Sequence, residues 1–392
     1  MSGRFARDLQ AGLTVALVAL PLAIAFGQTS GLGATAGVIT AIVAGFIAAV
    51  IGGSRFQVSG PTGAMTVVLI PIFTDHGASG VLAVGLIAGV LVLLAGVLKL
   101  GRHVHRLPTS IIEGFTAGIA VVIATQQIPS AMGTDSSPAS WISPAMALAT
   151  ALVVYFGARR WARIPIAIVA IAAMTIANLT LNLKTETVPK LGELLTPPSG
   201  GFVSAFGAWP SLLVPALLVA ALASLESLLS AKVADRMKND GSSHDSDREL
   251  IGQGLANIAV PFFGGVPATA ALARTAVNVR AGAESRWAAA FHAVFLAAIV
   301  LGLSNLVALI PLPALAGVLI ATAAGMIKIS ELKTTIRRSK LDAVVLVLTF
   351  GLTVFTDLTT ALAVGGVAWF ALRKTRLAAV LPPVEKGETL GD

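Results

Sequence analysis

Apolar runs succeed one another along nearly the whole chain, at about 9–27, 34–51, 56–73, 78–98, 107–128, 143–158, 164–182, 207–231, 250–263, 266–279, 287–310, 312–327, 341–356 and 358–372. A soluble domain carries about 25% charged residues. This chain carries 12%, against 56% hydrophobic. It is therefore read as an all-α polytopic membrane protein, because a backbone in lipid must satisfy its own hydrogen bonds and a helix does so within each segment. The first run follows Arg4 and Arg7 as a signal peptide would, but further spans follow at once, so it reads as a transmembrane segment.

Several runs are shorter than the ~17–25 residues of an ordinary span, so their number needs a second test. Basic residues concentrate in cytoplasmic connections. With the N-terminus inside, 14 transmembrane segments place 24 of the 27 basic residues in the cytoplasm; only Lys184 and Lys190 fall outside, and Arg274 lies within the tenth run. Adding or removing one span inverts everything downstream and destroys that asymmetry. Both termini are thus expected in the cytoplasm, with the chain in a cell (inner or plasma) membrane. The same placement explains the formal charge of +8 without invoking nucleic acid. The longest outer connection, about 183–206, contains Pro189, Pro197, Pro198 and Gly200 and divides the spans seven and seven. Seven is odd, so repeats of that length have opposite orientation. A 7+7 inverted repeat with discontinuous helices at matching places is a transporter pattern.

Two runs are broken. Segment 3 contains Ser59-Gly60-Pro61-Thr62-Gly63-Ala64, and segment 10 contains Val266-Pro267-Ala268-Thr269-Ala270. Each predicts a short extended stretch up to the proline and a half-helix just after it, where the missing N–H is not needed. A helix start exposes unpaired N–H groups and roughly half a positive charge. Two such starts brought together make an anion site of backbone, near Thr62, Gly63, Ala64 and Ala271, Leu272, Ala273. Arg274 adds a full charge there. An arginine at membrane depth costs at least ~2.5–3.5 kcal/mol, so it marks a function by default. The plainer reading is a pair of packing kinks in which Arg274 only satisfies carbonyls.

Glu226 is the second singular residue, in Ala-Leu-Ala-Ser-Leu-Glu-Ser-Leu-Leu-Ser-Ala-Lys. A desolvated carboxylate can take up and release a proton in a transport cycle. With Ser230 one turn later it could instead supply oxygen ligands to sodium, and a static salt bridge to Arg274 is the third reading. Phe26, after Pro21, packs either against the anion or into the core. Glu113 reads as a helix-start carboxylate and Asp357 as the cap of the last span; His103 and His105 fall in a loop. There is no cysteine, histidine–carboxylate cluster, nucleotide loop or nucleophile triad, so no metal, cofactor or enzymatic activity is expected.

Several short stretches then combine: Ala19-Leu20-Pro21 with Phe26, Gly52-Gly53-Ser54-Arg55, Ser59-Gly60-Pro61, Glu226-Ser227-Leu228-Leu229-Ser230 with Ala234-Asp235, Gly264-Gly265-Val266-Pro267, Ala273-Arg274-Thr275-Ala276-Val277-Asn278 and Phe355-Thr356-Asp357-Leu358. Across nearly the whole chain they resemble the SulP family of sulfate permeases, the solute carrier 26 group. The resemblance implies a core of segments 1–4 and 8–11 (residues 8–104 and 207–310) and a gate of segments 5–7 and 12–14 (105–206 and 311–376), with a cytoplasmic tail at 377–392. It further implies an anion site lined by Phe26, Thr62, Glu226 and the Ala273 and Arg274 positions, elevator-like movement of core against gate, and a homodimer. Leu22 stands where such proteins often have glutamine, and Ala271 and Ala273 where serines are frequent, so this site is less polar than in many of them. Leu32-Gly33-Ala34-Thr35 is a degenerate form of a Pro-x-Tyr signature, and the chain stops about sixteen residues after Arg376 without the usual STAS domain. The expected function is secondary active transport of a small anion (bicarbonate, dicarboxylate or sulfate) with H⁺ as the co-transported ion in preference to Na⁺. An uncoupled channel or exchanger is the alternative. A nucleobase:proton symporter is disfavoured by Arg274 and the scarcity of paired polar side chains.

Overall fold

A computed structural model of the chain describes residues 2–102, 108–133, 141–161, 166–188, 209–238, 240–241, 243–356 and 358–373. His103, His105, Asp357, the prolines and glycine of the 183–206 connection and the 377–392 tail lie outside the described residues. The described chain is mostly helical: α1 Ser2–Thr29, α2 Ala34–Ile51, β1 Ser59–Gly60, α3 Gly63–Val97, α4 Thr109–Gln126, α5 Ile128–Met132, α6 Ile142–Arg160, α7 Ile166–Thr180, α8 Trp209–Lys238, α9 Ser246–Ala259, β2 Thr269–Ala270, α10 Leu272–Arg280, α11 Trp287–Val307, α12 Leu312–Met326, α13 Ile329–Arg338, α14 Lys340–Phe355 and α15 Leu358–Leu372.

Among the described residues, seven helical stretches are long and apolar enough to cross a membrane: Gly3–Thr29, Ala34–Ile51, Gly63–Val97, Thr109–Met132, Trp209–Asp235, Trp287–Val307 and Leu312–Arg338. The runs at 56–73 and 78–98 are divided by a kink at Gly77 within α3, where φ 64° and ψ −168° leave the helical region; only glycine adopts that conformation without strain. The run at 250–263 folds as α9 followed by a 3₁₀ turn, Val260–Phe263. The run at 266–279 divides into β2 and a nine-residue α10. α13 is a helix that no apolar run announces.

The chain forms two compact units, residues 1–105 with 123–324, and residues 106–122 with 325–392. In the first unit α3 lies along α8 and α9, and α1 lies against α2 and α11. Lipid supplies no hydrophobic drive between helices, so contact depends on close backbone approach and small residues. A Cβ on Gly89 of α3 would sit 2.6 Å from the Ile258 nitrogen of α9, and one on Gly254 of α9 would meet the backbone of Leu93. In the second unit, Ile111, Leu341 and Val345 are buried together, with Trp369 and Leu372 packed against them.

Candidate functional site

The two broken segments meet. β1 and β2 pair antiparallel, Ser59 opposite Ala270 and Gly60 opposite Thr269. α3 and α10 start within three residues of this crossing. Pairing explains why extended chain is tolerated at this depth, since each strand supplies the other's hydrogen bonds. The Ala271 N–H adds a bond to the Val58 carbonyl, 2.9 Å. The expected register needs correction. Pro61 stands directly before the N-cap Thr62, so α3 starts just after it as expected although the proline lies outside the first turn, whereas Ala268, Thr269 and Ala270 intervene between Pro267 and the N-cap Ala271. The strand pairing holds those residues extended, so the helix starts later than Pro267 suggests.

Polar side chains from neighbouring helices satisfy the rest of this backbone. Asn257 of α9 accepts from the Ala268 N–H (2.7 Å) and donates to its carbonyl (2.9 Å). Thr40 of α2 donates to the Val266 carbonyl, and Ser227 of α8 accepts from the Ala270 N–H. Before β1, Thr275 accepts from the Val58 N–H, and Asn278 donates to the Phe56 carbonyl. Glu249 of α9, 1% exposed, accepts from the Ser54 N–H, from Gln57 Nε2 (2.7 Å) and from Gln253 Nε2 (3.0 Å). Gln253 Nε2 also donates to Ser59 Oγ, 2.6 Å. Sequence reasoning assigned no role to these residues. The available signal was the spacing Glu249, Gln253, Asn257, one polar residue per turn in an apolar run.

The two helix starts differ. Thr62 caps α3: its Oγ1 accepts from the Met65 N–H at 3.3 Å and donates to Glu226 Oε2 at 3.0 Å. Gly63 and Ala64 are buried. Phe26 is 7% exposed, and a side chain at Gly63 would come within 3.1 Å of its ring. Ala271 offers α10 no side-chain cap, and Leu272, 41% exposed, and Ala273 face outward. The first N–H groups of α10 are thus uncapped on an accessible helix end.

Arg274 is 1% exposed. Its Nη2 donates to the Pro61 carbonyl at 2.6 Å, and its buried Nη1 has no acceptor among the described residues. Gly60, at φ 154°, makes room for it, because a Cβ there would strike the guanidinium. Nη2 thus satisfies a carbonyl, as in the plainer reading, and Nη1 does not. Glu226 keeps partial exposure and is held by Thr62, not by an ion pair to Arg274, although the two charges interact at longer range. Ser230 turns away from Glu226 and donates to Thr275 Oγ1 at 3.0 Å. His292 of α11 is fully buried and also lies within electrostatic reach of Arg274.

Phe26, Thr62, Gly63, Ala64, Glu226 and Ala271–Arg274 thus lie on the helices and strands of one crossing, with Ser230 supporting it from behind. Uncapped N–H groups, a helix dipole and a guanidinium are chemistry suited to an anion. Among the described residues no cluster of three or more metal-ligating side chains occurs.

Known proteins are similar to this chain in sequence and fold. The sulfate permease family model matches residues 5–349. A putative sulfate transporter of Bacillus subtilis (strain 168), YvdB, is 34% identical over 92% of this chain and 72% of its own length. The bicarbonate transporter BicA of Picosynechococcus sp. is 32% identical over 91% and 68%. The solved transmembrane domain of a cyanobacterial BicA superimposes with a TM-score of 0.81 at 31% identity, covering 91% of this chain and 97% of that one. SLC26A9 superimposes at 0.82 over 95% and 65%, but at 19% identity it attests the fold alone. With the family model spanning most of the chain and the solved relative spanning nearly all of its own, this membrane protein belongs to the sulfate permease (SulP) family of anion transporters.

Proposed function

We propose that the chain is a secondary active transporter of a small monoanion, with bicarbonate the leading candidate, and that H⁺ accompanies the anion. The observation that carries the reading is the crossing of β1 and β2, with an uncapped α10 start on one side and the Thr62–Glu226 pair on the other. The anion would lie against the Leu272 and Ala273 N–H groups, with the Arg274 charge behind it and Phe26 beside it. A fully charged dianion such as sulfate has four oxygens to satisfy. Here Ala64, Ala271, Leu272 and Ala273 offer backbone only, and Thr62 is already engaged. A monocarboxylate or bicarbonate asks for fewer donors, and the relatives of similar identity include bicarbonate transporters. Dicarboxylates would need a second cationic contact.

Glu226 is the coupling group in this reading. It accepts from Thr62, the cap of α3, so a change in its protonation alters the helix start that faces the α10 end across the strand crossing. Ser230 spends its hydroxyl on Thr275, which removes one of the two ligands that favoured sodium. The fourteen-span 7+7 topology, cytoplasmic termini and homodimer belong to the same proposal. So does an elevator-like shift of a core (8–104 with 207–310) against a gate (105–206 with 311–376); these boundaries are what the family resemblance implies. The test is uptake into proteoliposomes, offering labelled bicarbonate, sulfate and succinate with and without an inward proton gradient. Protein-free vesicles correct for CO₂ leak. Gradient-driven accumulation of bicarbonate is expected; gradient-independent flux leaves an uncoupled channel or exchanger.

A further inference from the structure

α13 is amphipathic the wrong way round for a surface helix. Ordinarily the apolar stripe faces the protein and the polar face meets solvent. Here Ile329 is 63% and Ile336 41% exposed, and with Leu332 they occupy one face by helical spacing. The buried residue is polar: Thr335, 6% exposed, meets Glu113 of α4. Thr109, Ser330, Thr334 and Arg338 line the same cavity of about 310 Å³. Thr335 therefore holds the helix to its unit, while Ile329 and Ile336 are presented outward and Leu332 is half-buried between them.

Cations border the outward face. Lys333 and Arg337 follow Ile329 and Ile336 around the helix along one edge of the stripe, and both are exposed. Lys328, Arg338 and Lys340 are exposed nearby. The only acidic residue of α13, Glu331, pairs with Lys328 at 2.9 Å. An exposed apolar stripe edged by lysine and arginine suits a helix lying in the membrane interface. Long basic side chains snorkel to phosphate from such positions, and arginine grips it bidentately.

We propose that α13 lies at headgroup depth and binds anionic phospholipid, with Ile329, Leu332 and Ile336 against the acyl boundary and Lys333 and Arg337 on the headgroup phosphates. The inference rests on reading α12 and α14 as spans, but not on the identity or coupling of the transported anion. Because the chain has no cysteine, Ile336→Cys gives a unique site for an environment-sensitive fluorophore on the full chain. The labelled protein is placed in nanodiscs of phosphatidylcholine containing a small fraction of nitroxide-bearing phosphatidylglycerol or, separately, nitroxide-bearing phosphatidylcholine. Quenching is expected from both, with a several-fold excess for phosphatidylglycerol, since each cation near an anionic surface contributes roughly fivefold. Lys333→Gln with Arg337→Gln should bring the two lipids level; both side chains are exposed, so the fold is not at stake. Inorganic phosphate in the buffer should not compete. Absence of quenching by either lipid, equal quenching in the unsubstituted chain, or displacement by phosphate would each overturn the proposal. Transport is not the readout, so failure of the symport reading leaves this result interpretable.

Discussion

The starts of α3 and α10 enter the same two-stranded crossing and have come to opposite chemical solutions. At α3 the first turn is buried and capped, and the capping hydroxyl is shared with a carboxylate. At α10 the cap is an alanine, the first turn is open, and the positive charge is withdrawn behind the strand with one nitrogen bonded and one unbonded. Equal cradles would bind an anion twice over with no means of sensing it. On the proposed function the inequality separates tasks: α10 would provide the field and the free donors, and α3 a helix end whose cap registers a proton.

The sharpest way to break this comparison is to remove the charge. Arg274→Ala is expected to weaken anion binding by ~10- to 10²-fold, the ~1.5–3 kcal/mol scale of a hydrogen bond to a charged group. It should also lower thermal stability, because the Pro61 carbonyl loses its donor. Unchanged affinity in calorimetry at any stability would show that α10 does not supply the field. The counterpart at α3 is Glu226→Gln. The amide keeps a partner for Thr62 but cannot titrate, so accumulation driven by a proton gradient should fall to equilibration while anion exchange survives. Accumulation that persists would move the coupling elsewhere.

Two smaller changes test the scaffold between the starts. Gly60→Ala puts a methyl group where the guanidinium passes and demands a positive φ of an L-residue, a strain of ~1–3 kcal/mol. About tenfold weaker binding, with little change in coupling, is the expected result; loss of coupling with intact affinity would reverse the assignment of tasks. Thr62→Ala removes a cap worth ~1 kcal/mol and leaves Glu226 without its hydroxyl. Melting should fall modestly and the pH dependence of uptake should shift, whereas Thr62→Ser should restore both. A stability loss without a shift in the pH profile would reduce Thr62 to a structural cap.

Much of this was readable in the residues. Spans announce themselves because lipid demands long apolar runs, and the two breaks do so because Pro61, Gly60 and Pro267 cannot sit inside such runs without consequence. What escaped was long-range. That Ser59 pairs with Ala270, that Asn257 serves the Ala268 backbone, and that Thr275 serves Val58 depend on tertiary neighbours no local pattern specifies. Pro267 misled for the same reason: a proline predicts a helix start locally, and strand pairing postponed it. Arg274 was legible as a costly charge, but its burial behind Gly60 was not, because Gly60 read as part of the extended stretch before Pro61 and not as space for a guanidinium. α13 read as a basic connection, since ten residues with three isolated apolar positions are too few to stand out as a run.

The smallest expected effect probes selectivity at the open start. Ala273 is exposed in the first turn of α10, beside uncapped N–H groups, so a larger side chain there meets no packed neighbour. Ala273→Ser adds one hydroxyl donor within reach of any anion held at that end. One hydrogen bond is worth ~0.5–1.5 kcal/mol net, which is about two- to tenfold in affinity. The benefit should be larger for sulfate than for bicarbonate, because the dianion has more unsatisfied oxygens and a stronger pull on each donor. The ratio of sulfate to bicarbonate affinity, measured by competition at fixed pH, should therefore rise a few-fold while proton coupling at Glu226 is untouched. If the ratio stays flat although the variant folds and binds, the anion does not approach α10 through its first turn. The division of tasks between the two helix starts would then have to be drawn the other way.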